Sequence, residues 1–410
     1  MNAEPDRRRR VVLYLQLHQP FRLAPYSYLD VGTDRDYFDT ELNRQVVEGV
    51  DDRCYGPLCA LLERLAARHG ASFGCALSIS GTLLDQLELW RPRTIEQLRE
   101  VFASERVELL CETAFHSLVW RDDPDEFRSQ VELHRARLEQ LFGRRASTFR
   151  NTELIVDETL VDAVEALDFD GLLLEGADAL MPRDEVTRVH TVGRRDRVRV
   201  LPRHYSLSDD VAFRFTHRRD DDARLTAERW TQWILDVPGD TPCIGIYMDG
   251  ETFGEHHPAE SGIFEFLEEA VDRLVEVPGV ELLTPGEALR ASEPVGHLSI
   301  PQPFSWADGE RDLSAWLGNP MQRSAHEALV RIGPRVLALA ADAPDLLRDW
   351  RRLSTSDHLY YMSTAAGSDG SVHEYFSPFG SAHDAHIAFM NVLEDFKRRV
   401  EAVERGTGAD

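Results

Sequence analysis

The chain has 410 residues, 42% of them hydrophobic, enough for one large α/β domain plus a smaller one around a sizeable core. Its 72 Asp and Glu against 46 Lys and Arg leave a formal charge of −26 and no basic patch to neutralise phosphates, which argues against nucleic acid as a partner. No run approaches the ~18 apolar residues of a membrane span.

The first strand-like run, 11–17, is an apolar stretch stopped by His18, Gln19 and Pro20. Proline ends the strand and leaves His18 and Gln19 at its mouth with donors to offer. Arg7 to Arg10 precede it without a small-residue cleavage site after the short apolar run, so they read as a basic start rather than a twin-arginine signal. Further strand-like runs follow at 73–79, 107–111, 147–149, 171–174, 198–201, 243–248 and 280–283. Helical patterns occupy 124–142, 156–166, 223–235 and 262–276 between them. Repeated β-then-α order predicts a mainly parallel sheet, and charged residues at several strand ends favour a closed or nearly closed barrel. An open doubly wound sheet has the same composition.

After residue 292 the pattern changes. Pro294, Pro301 and Pro303 mark a linker-like segment, and long helical stretches follow at 313–339, 346–353 and 382–404. The expected division is therefore 1–292 and 293–410.

Two more strand ends carry chemistry. The run 244–248 leads into Asp249, Gly250, Glu251, Thr252, Phe253, Gly254, Glu255, His256 and His257. Three carboxylates so close repel one another, which raises the pKa of Asp249. The run 147–149 leads into Arg150, Asn151 and Glu153, where a cation and an amide beside the carboxylate favour its ionised form. A solvated acidic loop and a helix-start carboxylate are the plainer accounts of these two stretches. One carboxylate kept charged and one kept protonated is the pairing that glycoside hydrolysis needs.

Taken in order, these motifs resemble glycoside hydrolase family 57, the family of α-amylases, 4-α-glucanotransferases and branching enzymes. His18-Gln19-Pro20 is similar to its first motif. Glu105 to Leu109 is similar to the second, with Glu105 where the family usually has glycine. Arg150 to Leu154 resembles the third, Asp249 to Gly254 the fourth, and Glu310 to Asn319 the fifth. Within the family the α-amylase-like group is the nearer match, through Ser78 to Leu84, Glu112 to Ser117, Ser305 to Asp312 and Val372 to Pro378.

The resemblance implies an incomplete (β/α)7 barrel with a C-terminal helical bundle completing the cleft, and a retaining enzyme on α-1,4-glucans such as starch, glycogen or maltodextrins. Glu153 is then the nucleophile and Asp249 the acid/base. Glu251 tunes Asp249 or holds a neighbour, and His18, Gln19, Glu108 and His116 contact hydroxyls. Phe253, His256 and His257 shape the rim, while Trp306, Asp312 and Trp316 face the cleft from the side. No cofactor is expected. Water or a second glucan can resolve the intermediate, so hydrolysis and transfer both remain open.

Two rival readings stand beside this one. His18, Asp249, His256 and His257 are zinc-type ligands, as in deacetylase-like barrels acting on sugars. Alternatively the fold binds glucan without turning it over.

Composition also bears on setting. Lys397 is the lone lysine, and the acid excess suits a protein hydrated in concentrated salt, where a Debye length of ~3 Å at 1 M screens self-repulsion. A GC-rich genome explains the missing lysines but not the surplus carboxylates. Five cysteines (Cys54, Cys59, Cys75, Cys111, Cys243) without metal-ligand spacing point to a reducing, cytoplasmic interior.

Overall fold

The computed structural model describes residues 8–216, 224–365 and 377–407. Arg7, Ala223 and residues 372–376 of the resemblance noted above lie outside them. The strands are β1 (Arg9–Leu17), β2 (Cys75–Ile79), β3 (Val107–Leu109), β4 (Thr148–Arg150), β5 (Gly171–Glu175), β6 (His190–Val192), β7 (Val198–Arg203), β8 (Cys243–Asp249) and β9 (Val280–Leu282). Seven form a parallel path in the order β3-β2-β1-β8-β7-β5-β4.

The two ends of this path meet. Just beyond β3, the Cys111 N–H donates to the Thr148 carbonyl at 3.1 Å, and the Arg150 N–H donates to the Cys111 carbonyl at 2.9 Å. That single bridge closes seven strands into a ring. A second thin seam lies between β7 and β8, paired at Arg203 and Gly245. The expected incomplete (β/α)7 barrel is what forms. The strand β6, antiparallel on β7, was not expected; at three residues it is too short for alternation to reveal.

Alternation along the strands sorts the apolar residues into two cores. Val11, Leu13, Leu15 and Leu17 face outward to the helices, while Val12 and Tyr14 join Ala76, Leu173, Leu201 and Tyr247 inside the barrel. The helix Pro285–Ala291 plugs the lower end, with Ala288 and Leu289 in the inner core. Glu108 serves this plug. Its carboxylate accepts from the Gly286 N–H at 2.6 Å and the Thr148 hydroxyl at 2.6 Å, at the positive end of that short helix. Sequence reasoning placed it in the cleft; its position in mid-β3 puts it below.

Glu105 has φ of 60°, a left-handed conformation that glycine adopts without cost. This accounts for the glycine that the family usually has there.

The C-terminal helices also differ from expectation. The stretch 313–339 is not continuous. A turn of helix Ser314–Leu317 ends at Gly318, and Asn319 then caps a new helix Pro320–Ala338 by accepting from the Gln322 N–H at 3.0 Å. Helices Pro344–Leu353 and Ala382–Thr407 follow. A short helix Asp357–Tyr360, absent from the sequence expectation, reaches the barrel: Ser117 and Thr355 bridge, and the Ser356 N–H donates to the His116 carbonyl at 3.0 Å. Among the described residues no helix is long and apolar enough to cross a membrane.

Candidate active site

Every strand of the ring runs the same way, so the residues just past the carboxyl ends converge on one mouth. His18 follows β1, Ser80 follows β2, Glu112 lies beyond β3 and Glu153 beyond β4. Glu175, Arg203 and Asp249 end β5, β7 and β8. The mouth opens into a solvent-connected cleft lined by Glu153, Asp249, Glu251, Arg203 and Trp306.

Glu153 is gripped on both oxygens. His116 Nε2 lies 2.9 Å from Oε1, and the Trp306 indole N–H donates to Oε2 at 2.6 Å. The backbone turns sharply to present it, with φ of 56° at Glu153 and 50° at Leu154. His116 is fully buried, and its Nδ1 lies 3.0 Å from Glu112. Burial alone would strip its proton, but the bonds to Glu112 and Glu153 prevail and push its pKa up to about 9. His116 is thus an imidazolium donating from both nitrogens. Burial would likewise protonate Glu112, yet His116 and the Arg150 guanidinium, 3.5 Å away, bring it down to about 2. Glu153 is held below the usual carboxylate range: burial opposes this, and the His116 hydrogen bond and charge overcome it.

Asp249 has the opposite environment. Among the described residues no donor is within hydrogen-bond reach of its carboxylate. Burial and the Glu153 charge push its pKa up to about 7, against Arg150, His116 and Arg203. Glu251 stands beside it. The Tyr55 hydroxyl donates to Glu251 at 2.5 Å and the His18 backbone N–H at 3.1 Å. Burial and the charge of Asp249 outweigh these donors and push Glu251 up to about 8. Tyr55 ends a π-helical turn, Asp51–Tyr55, the kind of irregular turn often found at functional sites. Gly254, at φ of 105°, packs so closely on the Arg53 carbonyl that a Cβ has no room.

His18 stacks on His116 with 3.9 Å between ring centroids. Burial and the His116 charge lower its pKa, so it is neutral. The tautomer with the proton on Nε2 satisfies both partners, donating to Asp357 at 2.9 Å and accepting from the Ser80 hydroxyl at 2.7 Å. Asp357 comes from the short helix of the C-terminal part.

His18, Gln19, Glu153, Asp249, Glu251, His256, Trp306 and Trp316 all line the cleft, and His116 stands directly behind Glu153. Phe253 and Asp312 do not. Phe253 is fully buried against Phe264, because the tight 254 turn folds it inward. Asp312 is exposed and accepts from the Ser314 N–H at 2.7 Å, closing a turn. Trp316 is only 1% exposed, so it forms a wall rather than a stacking platform. Phe213, at the cleft margin, is 46% exposed.

The zinc-type set His18, Asp249, His256 and His257 does not converge, since His257 Nε2 donates to the carbonyls of Val211 and Ala212 at 3.1 and 3.0 Å. His18, His116 and Asp357 do bring ligand-type atoms within 4.8 Å of one another. Their imidazoles are stacked, and all four ring nitrogens are engaged by Ser80, Asp357, Glu112 and Glu153. Such a set leaves no imidazole lone pair free for a cation.

Asp357, Tyr55, Arg203 and Phe213 were missed in sequence. Asp357 and Tyr55 have no strand-end signature. Arg203 had one, at the end of β7, where a charged residue closes an apolar run.

Residues 12–301 match the family model described as Glycosyl hydrolase family 57. A protein of Methanocaldococcus jannaschii, named an alpha-amylase by inference, is 35% identical over 397 residues, covering 94% of this chain and 84% of its own length. Among solved structures, a branching enzyme of the same family from Pyrococcus horikoshii aligns with TM-score 0.68 at 15% identity, over 90% of this chain and 87% of that one. The 4-alpha-glucanotransferase of Thermococcus litoralis aligns with TM-score 0.66 at 16% identity, over 86% of this chain. The chain spans only 56% of that enzyme's length. At such identities the two structures establish the fold.

Proposed function

The chain belongs to glycosyl hydrolase family 57, and from that membership we propose a retaining α-amylase-type enzyme that cleaves α-1,4-glucans through a covalent glucosyl-enzyme. One observation carries the reading: two carboxylates on one cleft are biased in opposite directions. Glu153 is kept ionised by His116 and Trp306, while Asp249 is pushed up to about 7. In a retaining mechanism the nucleophile must be charged and the acid must hold a proton near neutral pH.

Glu153 attacks the anomeric carbon. Asp249 protonates the leaving oxygen, then takes a proton from water as the intermediate is resolved. The ionised Glu153 itself raises the Asp249 pKa, and its loss of charge on forming the ester lowers it. Asp249 is thereby turned from acid to base at the right moment. His18, Gln19, Glu251, His256 and Trp316 supply hydroxyl contacts and walls along the cleft.

Residues 1–292 act as the catalytic barrel, and 293–410 as the bundle that completes the cleft through Asp357. The acidic composition supports work in concentrated salt and speaks against nucleic-acid partners, and the cysteine usage supports a cytoplasmic setting. Phe213 favours a second reading, 4-α-glucanotransfer, because an exposed aromatic side chain at the cleft margin suits stacking on an acceptor sugar.

Digestion of maltoheptaose in molar KCl tests the proposal. Shorter products alone mark a hydrolase, and longer products beside shorter ones mark a transferase. An intact substrate after incubation with folded protein contradicts both and leaves glucan binding without turnover.

A further inference from the structure

The turn 305–312, which follows the last barrel strand in sequence, touches the Glu153 carboxylate directly. Trp306 is tied to Glu153 twice: its indole N–H donates to Oε2 at 2.6 Å, and its backbone N–H donates to the Glu153 carbonyl at 3.2 Å. The guanidinium carbons of Arg150 and Arg203 lie 5.0 and 5.7 Å from the centroid of the indole ring, so two cations pack on it.

The turn itself is braced. Phe304 and Val156 exchange backbone hydrogen bonds of 2.9 and 3.1 Å. The Ser305 N–H donates to the Arg311 carbonyl at 3.0 Å, and the Ser305 hydroxyl donates to the Asp312 carbonyl at 2.8 Å. Arg311 is paired with Glu175, whose other oxygen is 3.1 Å from Arg203. Asp308 and Arg311 are both held at φ of 52°, a conformation that non-glycine residues keep only when their surroundings impose it.

We propose that Trp306 is a positioning residue for the Glu153 carboxylate, with the turn 305–312 as its frame. The inference rests on Glu153 being the nucleophile. A single donor on one oxygen leaves a carboxylate free to rotate about its last bond. Donors on both oxygens, His116 on one and Trp306 on the other, fix its plane. Each oxygen keeps a further lone pair, so attack is not blocked. Fixing the plane holds the attacking oxygen in near-attack geometry, and a donor to the charged form also keeps it ionised.

Trp306→Phe keeps an aromatic ring beside the two guanidiniums and removes the N–H donor. The expected result is a kcat lower by about 10- to 100-fold, the range for losing a hydrogen bond to a charged group, with KM little changed. The acidic limb of the pH profile moves to higher pH, because the charged carboxylate has lost a donor. A raised KM with unchanged kcat and an unmoved acidic limb overturns the inference and makes Trp306 a sugar-contact residue. Should the phenylalanine variant not fold, benzothienylalanine at 306 keeps the bicyclic shape without the N–H and is read in the same way.

A second readout needs no turnover. The indole N–H resonance that vanishes in Trp306→Phe is expected downfield, titrating with Glu153 and fixed in Glu153→Gln. A resonance that does not titrate, in a protein that Glu153→Gln inactivates, overturns the positioning role alone. A titrating resonance in a protein still active as Glu153→Gln overturns the nucleophile reading and the positioning role with it.

Discussion

His18 and His116 lie face to face, 3.9 Å between centroids and 22° between planes, yet they carry different charge. His116 is clamped between two carboxylates and is an imidazolium. His18 is neutral because burial and that neighbouring cation both disfavour a second charge. The neutral ring is a flat spacer between the bundle's Asp357 and the charged layer behind Glu153.

The pair therefore titrates apart. By 15N-detected NMR of the imidazoles, His116 is expected to stay protonated through neutrality and to lose its proton near pH 9, while His18 remains neutral above pH 6.5. Two rings titrating together near 6.5 contradict the network.

Stability follows from the same shifts. The folded pKa of His116, about 9, is above its ordinary 6.5, so its contribution is complete below pH 6.5 and is lost as pH rises through 9. Glu112 works in the other direction: about 2 against an ordinary 4.5, it contributes fully above 4.5 and loses that contribution as pH falls towards 2. The melting temperature in molar KCl is expected to fall on both sides. Glu112→Gln is expected to reduce the acid-side slope without abolishing it, because Glu153 and Asp357 are also held below the usual carboxylate range.

Activity is expected to follow a bell. Its acidic limb lies below the ordinary range of Glu153, and its basic limb lies near 7, where Asp249 loses its proton. Asp249→Asn is expected to lower kcat by ~10²–10⁴-fold on substrates with poor leaving groups, the usual span for general acid–base catalysis, and to remove the basic limb. A basic limb that persists in this variant assigns it elsewhere.

Glu105→Gly is expected to be neutral or stabilising by up to about 1 kcal/mol. The left-handed backbone at φ of 60° costs a side chain ~1–2 kcal/mol, and glycine's greater unfolded freedom takes back part of the relief. The Arg144 contact that is lost, 3.8 Å long with Glu105 78% exposed, contributes little. Chemical denaturation of both proteins at one salt concentration gives the difference, and a loss above 1 kcal/mol contradicts the backbone argument.

Salt should matter to the whole molecule. With a formal charge of −26, unfolding is expected at markedly lower temperature in dilute buffer than in molar KCl, because screening is lost. Equal melting temperatures in the two buffers contradict an adaptation to salt.

Much of the barrel was legible because its strands are buried and apolar, and because they stop at polar residues. Eight of the nine described strands coincide with such runs, and the exception, β6, is a three-residue edge piece. Glu153, Asp249 and His18 were legible for the same reason, as strand ends. Glu108 misled because it shares a strand with the mouth yet faces the bottom, and one β residue looks like another in composition. Asp357 was invisible because it sits on one turn of helix in the bundle and meets His18 only through the tertiary fold. The break at Gly318, Asn319 and Pro320 could have been read from capping rules.

The central claim is that Glu153 carries the glucosyl group. It is tested most directly by trapping that ester in Asp249→Asn with an α-maltosyl fluoride, which needs little acid assistance to leave. Mass spectrometry of the digested protein is expected to place the added glycosyl mass on the peptide containing Glu153, and Glu153→Gln is expected to show none. A label on a different carboxylate, or steady turnover by Glu153→Gln without one, would contradict the account.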